Sequence, residues 1–247
     1  MQPLPLNGSE PRFPKTLTYT QIIHLSHVIE PQMPLWPGDS PVVFETVADI
    51  GEAGYYLRHF SMGEHSGTHM NAPNSFYTQG TSIDAYPAES LISNAVVLDV
   101  RSQINVSPDY QLAIADILLW EEQHGQIPAD SVVLLYTGWQ VKWQNPAAFL
   151  GQDAAGEMHF PGFGAEAMEF LLSDRQIREV GIDTHGVDSG QDADFSINRR
   201  VLTRPRIVLE NLINLDRLPP IGTTLMSGIL RLKNGSGSPA AVIALVP

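Results

Sequence analysis

His65-Ser66-Gly67-Thr68-His69-Met70-Asn71-Ala72-Pro73-Asn74-Ser75 sets two imidazoles four residues apart around a Gly-Thr pair. Gly67 between them disfavours a regular helix, and Pro73 marks the segment as a loop. The two rings then converge through a turn, a common way to form half of a metal site. Carboxylate chemistry would be expected next, and the chain has neutral Asn71 and Ser75 there instead. With eight histidines in the chain, the pair also has a plainer reading, as loop side chains satisfied by backbone hydrogen bonds.

Around this stretch the chain alternates strands and helices. Strand-type runs are predicted at 20–29, 42–47 and 55–62, with the Pro/Gly-rich segment 31–41 between the first two. Continuous apolar runs at 95–100 and 131–136, and shorter ones at 180–183 and 206–210, read as buried strands. Ile114–His124 and Ala165–Ser173 have helical periodicity, the first stopped by Gly125 and the second introduced by Pro161-Gly162. Residues 223–233 and 240–246 form a closing hairpin around Asn234-Gly235-Ser236-Gly237. No repeat or Gly/Ser linker divides the chain. The expected organisation is an N-terminal arm over 1–17 and a single α/β domain over 18–247, with a mixed sheet and a covering β-layer.

Composition narrows the function. In 247 residues, 43% are hydrophobic and 17% charged, as in an ordinary globular protein. A formal net charge of −13 opposes nucleic-acid or anionic-membrane surfaces, which need clustered Lys and Arg. There are no cysteines, which removes disulfides, thiolate ligands and a cysteine nucleophile. The Pro-rich N-terminus lacks the apolar core of a secretory signal, and no run approaches the roughly 20 apolar residues of a membrane span. A cytoplasmic protein is expected. No Gly-rich phosphate loop, Gly-x-Ser-x-Gly elbow or dinucleotide fingerprint occurs.

The chain resembles the cyclase family of metal-dependent hydrolases, which includes bacterial kynurenine formamidases and isatin hydrolase. The family signature is His-x-Gly-Thr-His-x-Asp-x-Pro-x-His, matched by His65, Gly67, Thr68, His69 and Pro73. Further fragments fall in the family's order from about Ile22 to the C-terminus. They are Leu25-Ser26-His27, Leu35-Trp36-Pro37-Gly38-Asp39, Thr137-Gly138-Trp139, Phe160-Pro161-Gly162-Phe163, Gly181-Ile182-Asp183-Thr184, Glu210-Asn211-Leu212, Asn214-Leu215-Asp216 and Gly237-Ser238-Pro239. The resemblance implies a swivelling β/α/β fold, assembled as a homodimer or homotetramer whose neighbouring subunits help close each pocket.

It also implies a site. In the family, the first two signature histidines and the Asp hold a divalent metal. A downstream His and the Glu of Glu-Asn-Leu complete the site, often with two metals, and the last signature His moves protons. His65, His69 and Glu210 match. The departures are Asn71 for the Asp, Ser75 for the last His and Asn198 for the downstream His. A carboxamide offers one neutral oxygen where a carboxylate can bridge two cations. Ser75 is no general base near neutral pH. Too few groups remain for a binuclear centre.

Three readings stay open. The first is one divalent metal, Zn or Mn, on His65, His69 and Glu210, with Asn71 or water filling in. The second is a metal-independent cyclase, lyase or hydrolase that uses the same three residues as acids, bases or donors. The third is a non-catalytic small-molecule binding protein. The first is preferred: a hydrolase acting on the carbon–nitrogen bond of an amide or cyclic amide, with His65, His69 and Glu210 catalytic.

Trp36, Phe76, Tyr77 and Trp139 are candidates for an apolar substrate wall, Trp36 first because of its Pro/Gly-rich loop; core packing is the plainer role for each. His185 replaces a lost ligand or base if its loop faces the pocket, and is otherwise a surface histidine. Trp36, Phe76 and His185 are the expected substrate-binding set. Asp188, Asp192 and Asp194 are nearby sources of a carboxylate. His24, His27, His59, His124 and His159 receive no role.

Overall fold

The structure is a computed structural model that describes residues 16–247; residues 1–15 of the expected arm lie outside it. In chain order the elements are β1 (Gln21–His24), β2 (Val43–Ala48), α1 (Ile50–Ala53), β3 (Leu57–Ser61), β4 (His69–Asn71), β5 (Ile92–Asp99), α2 (Arg101–Ile104) and β6 (Gln111–Leu112). There follow α3 (Ile114–His124), β7 (Val132–Tyr136), α4 (Pro146–Leu150), β8 (Gly162–Phe163), α5 (Ala165–Ser173) and β9 (Glu179–Ile182). The chain ends with α6 (Ser196–Val201), β10 (Ile207–Glu210), β11 (Thr223–Ile229) and β12 (Gly237–Val246).

The continuous apolar runs become β5, β7, β9 and β10, which lie side by side and parallel. Parallel strands flanked by crossovers are buried on both faces, which is why their sequences do not alternate. Antiparallel neighbours complete the sheet in the order β12-β11-β5-β7-β9-β10-β4, and β4 returns to pair with β12. The mixed sheet therefore closes on itself. β12 serves two partners along one edge: Gly237, Ser238 and Pro239 face β4, and the stretch 243–246 faces β1.

Alternation along each strand divides the core in two. Ala95, Val97, Val132, Leu134, Leu209, Leu225 and Val242 fill the interior of the closed sheet. Val96, Leu98, Val133, Leu135, Val180 and Val208 face outward, where Ile117 of α3, Met168 and Leu171 of α5, and Ile197 and Val201 of α6 cover them. Both long helices begin and end where the periodicity places them. The Asp116 carboxylate accepts the Ala113 amide at 2.8 Å, and Gly125 terminates α3 with φ of 85°.

Two expectations need correction. Pro73 and Gly67 suggested loop throughout the opening stretch, but His69–Asn71 is a strand held between β10 and β12. Three residues are too few to show a period, and pairing on both edges overrides local preference. The expected covering β-layer is a separate β2–β3 ribbon, with Val47, Leu57 and Phe60 exposed. Among the described residues no helix is long and apolar enough to cross a membrane.

Candidate active site

The outward parity of β4 and β10 builds the centre of the site. His69 stands opposite Glu210, and Asn71 opposite Val208; Met70, between the two β4 side chains, points into the interior cluster. The turn before β4 is pinned by Asn211: Thr68 Oγ1 donates to its carbonyl at 2.5 Å, and its Nδ2 donates to the Gly67 carbonyl at 2.9 Å. Gly67 adopts φ of 67°, which a side chain disfavours. Gly237 is required for a different reason: a Cβ there would sit 2.5 Å from Cε1 of His65.

At the centre, the buried Glu210 carboxylate is surrounded by donors. Oε2 meets Nε2 of His69 at 3.1 Å and Nδ2 of Asn71 at 2.9 Å. Oε1 accepts from Nδ2 of Asn198 at 2.9 Å and from the Val187 amide at 3.0 Å. A carboxylate only accepts, so both carboxamides must turn their nitrogens toward it. Asn71 Oδ1 consequently faces Nδ1 of His65 at 2.8 Å, which makes that nitrogen the donor. Nε2 of His65 contacts Ser236 Oγ at 2.9 Å. Both nitrogens of His69 face acceptors, Nδ1 at 2.8 Å from the Gly67 carbonyl and Nε2 at Glu210. Burial opposes charge on Glu210, yet the bond and charge of His69, with the bonds from Asn198 and Asn71, hold its pKa at about 2.

These groups form the floor of a cavity of about 260 Å³. Trp36, Phe76 and His185 line it, together with Phe160 and Phe195. His185 is buried, edge-on to Trp36 and Phe149, and its Nε2 has no hydrogen-bond partner among the described residues. Burial drives its pKa down to about 3, so the ring is neutral. Burial also lowers the pKa of His65, reinforced by neighbouring His69. Asp188 lines the same cavity; its carboxylate accepts the Ile197 amide at 2.6 Å and Asn198 Nδ2 at 2.9 Å. Burial pushes Asp188 up to about 6, against the bonds from Asn198 and Ile197.

Ser75, Asp192 and Asn198 also reach the cavity, whereas Tyr77, Trp139 and Asp194 are not among its lining residues. Tyr77 donates to the Arg199 carbonyl, and Trp139 is core, its Nε1 bonded to the Phe149 carbonyl. His27 is buried and stacks on Trp143. His59 and His159 pair with surface carboxylates. Phe160 belonged to a recognised fragment; Phe195 and the Val187 amide had no sequence signal. Asp183 of the Gly-Ile-Asp-Thr fragment is structural, accepting from the amide and hydroxyl of Thr137.

A model of the cyclase family, described as "Putative cyclase", matches residues 23–189. The chain belongs to the cyclase family. It is 35% identical over 195 residues to isatin hydrolase of Roseibium aggregatum, covering 75% of this chain and 73% of that one. It is 25% identical over 232 residues to kynurenine formamidase of Erythrobacter litoralis, covering 92% and 95%. The solved isatin hydrolase A of Labrenzia aggregata, bound to benzyl benzoate, superposes with a TM-score of 0.86 at 33% identity, over 92% of this chain and 93% of that one. These relatives are hydrolases of amide carbon–nitrogen bonds. A more remote neighbour, titled a potential metal-dependent hydrolase with cyclase activity, shares the fold with a TM-score of 0.66 at 21% identity.

The residues present bear on whether a metal, as in such hydrolases, has a place here. His65, His69, Asn71 and Glu210 do come together, each already bonded to its neighbours. His65 spends both nitrogens on Asn71 and Ser236, Asn71 points its amide nitrogen inward, and Glu210 is bonded at both oxygens. Among the described residues no group of three or more His, Cys, Asp or Glu is placed to hold an ion. A divalent site needs about four converging electron pairs, and this donor set does not fit one.

Proposed function

We propose that this chain hydrolyses the carbon–nitrogen bond of a small aromatic amide or cyclic amide held in the cavity. The observation that carries the proposal is a buried carboxyl, Asp188, in a cavity walled by Trp36, Phe76, Phe160 and Phe195. The aromatic walls supply contact area for a planar ring. Neutral His185 orients a polar edge of the substrate. Asp188 takes a proton from water as its oxygen bonds to the carbonyl carbon, then returns it to the nitrogen as the carbon–nitrogen bond breaks. A pKa of about 6 suits both transfers. His65, His69 and Glu210, expected as catalytic, become positioning residues beneath the substrate. Neither Zn nor Mn is assigned, because the donor set does not fit them.

The rest of the proposal is a small-molecule substrate, no nucleic-acid or membrane partner, a homodimer or homotetramer, and a cytoplasmic location. The exposed apolar side chains of the β2–β3 ribbon support self-association. The test is turnover of isatin and of formanilide by the wild-type chain and by Asp188→Asn. Turnover above background that falls about 10²-fold or more in the variant is expected. One observation favours a second reading, a binding protein: the donors around Glu210 are already satisfied and leave no free electrophile. Thermal stabilisation by isatin with no turnover of either compound would replace the hydrolase proposal by that one.

A further inference from the structure

We infer that the side-chain N–H groups of Asn71, Asn198 and His69 take the place of a metal ion at Glu210, so that the site is metal-independent by construction. The three departures from the family's site residues, Asn71 and Ser75 in the signature and Asn198 downstream, are related in space. Asn71 Nδ2 bonds Glu210 at 2.9 Å and also Asn198 Oδ1 at 3.1 Å. Asn198 Nδ2 bonds Glu210 at 2.9 Å and also Asp188 at 2.9 Å. The third position, Ser75, donates to the Ser236 carbonyl at 2.7 Å, behind the hydroxyl that His65 contacts.

The direction of these bonds is fixed. To offer an oxygen to a cation in place of its nitrogen, either carboxamide must rotate. Asn71 would then turn its nitrogen onto the Nδ1–H of His65, donor against donor, and would abandon both of its inward bonds. Asn198 would abandon its bonds to Glu210 and Asp188 together. Charge points the same way. The signature places a carboxylate beside the ion where this chain has Asn71, and Asp188, the other buried carboxylate nearby, is already held by the Ile197 amide and Asn198 Nδ2. His69 Nε2, the two carboxamides and the Val187 amide between them occupy the lone pairs of Glu210.

The experiment is metal analysis and thermal unfolding of the full chain purified without chelator, with and without EDTA, MnCl₂ and ZnCl₂. The expected result is far less than one bound ion per subunit and an unfolding temperature unmoved by chelator or by either salt. About one ion per subunit that EDTA removes, with a fall in unfolding temperature, would overturn the inference. The second arm is Asn71→Asp with Asn198→His, which returns a carboxylate and an imidazole. It should take up Mn or Zn and gain an unfolding temperature that EDTA reverses. Asn71→Asp alone serves if the double variant does not fold. A folded variant that takes up no metal would overturn the assignment of these two residues to the metal's place. None of these readouts is turnover, so they stand or fall apart from the amide-hydrolase reading.

Discussion

At the scale of single residues, Glu210 and Asp188 are neighbouring carboxylates pushed in opposite directions by their surroundings. Both are buried, which favours the neutral form; only Glu210 has His69 and a full ring of donors to overcome it. Glu210 stays ionised while Asp188 titrates close to neutrality, a division of labour suited to acid–base chemistry. A base must be deprotonated to accept, so kcat/KM should rise with pH through about 6. Asp188→Asn should remove that limb, measured as initial rates from pH 5 to 8. Glu210→Gln places an amide nitrogen among donors and should cost about 3 kcal/mol in chemical denaturation near pH 7. The folded pKa of Glu210 lies below the ordinary 4.5. Its contribution is therefore present above that value and lost as pH falls from about 4.5 to about 2, and the gap between wild type and variant should close in that window. The convergence of His65, His69 and Glu210 was legible from the sequence, because the Gly-Thr turn and the Glu-Asn-Leu segment carry it. The direction of the Asn71 and Asn198 amides was not, since nothing but the carboxylate they meet decides which end turns inward.

Among elements, the buried parallel strands and the two long helices were readable because length and period agree in each. β4 was not, because a three-residue strand wedged between β10 and β12 has no period of its own. The helix α6 was missed for a related reason. It is six residues long, and its first amides are capped by Asp188, nine residues back from Ile197 in the chain. The start of β12 matters to the site as much as β4 does, since Gly237 lies against the His65 ring. Gly237→Ala would drive a methyl group into that ring, whose two nitrogens are already bonded. It should lower the unfolding temperature by several degrees, at a cost of about 1–3 kcal/mol. Thermal unfolding with and without isatin checks it, with weaker stabilisation by isatin expected in the variant. An unchanged unfolding temperature would show that His65 is free to move.

Over the whole molecule, the closed sheet packs mostly apolar side chains inside, and a carboxylate lies among them. Glu179 of β9 points into the interior beside Val132 and Ile207, accepting from Ser93 Oγ. Burial raises its pKa from 4.5 to about 7, although the Ser93 bond and the charge of Arg178 oppose the shift. A raised acid pKa means the folded state holds the proton longer, so stability falls as pH rises from about 4.5 through 7. Glu179→Gln should therefore stabilise the protein at pH 8 by about 2 kcal/mol relative to its effect at pH 5, measured by denaturant titration at both values. Closure of the sheet could not be read from the sequence, since β4 and β1 share one edge of β12 and only the register shows it. The proposed amide-hydrolase cavity stands on a floor where, by the inference above, side-chain N–H groups take the metal's place. Isatin ring opening by the wild-type chain, measured after exhaustive chelation and again with added Mn or Zn, tests that union most directly. The same rate above background is expected in both conditions. A rate at background after chelation, whether or not metal restores it, would contradict it.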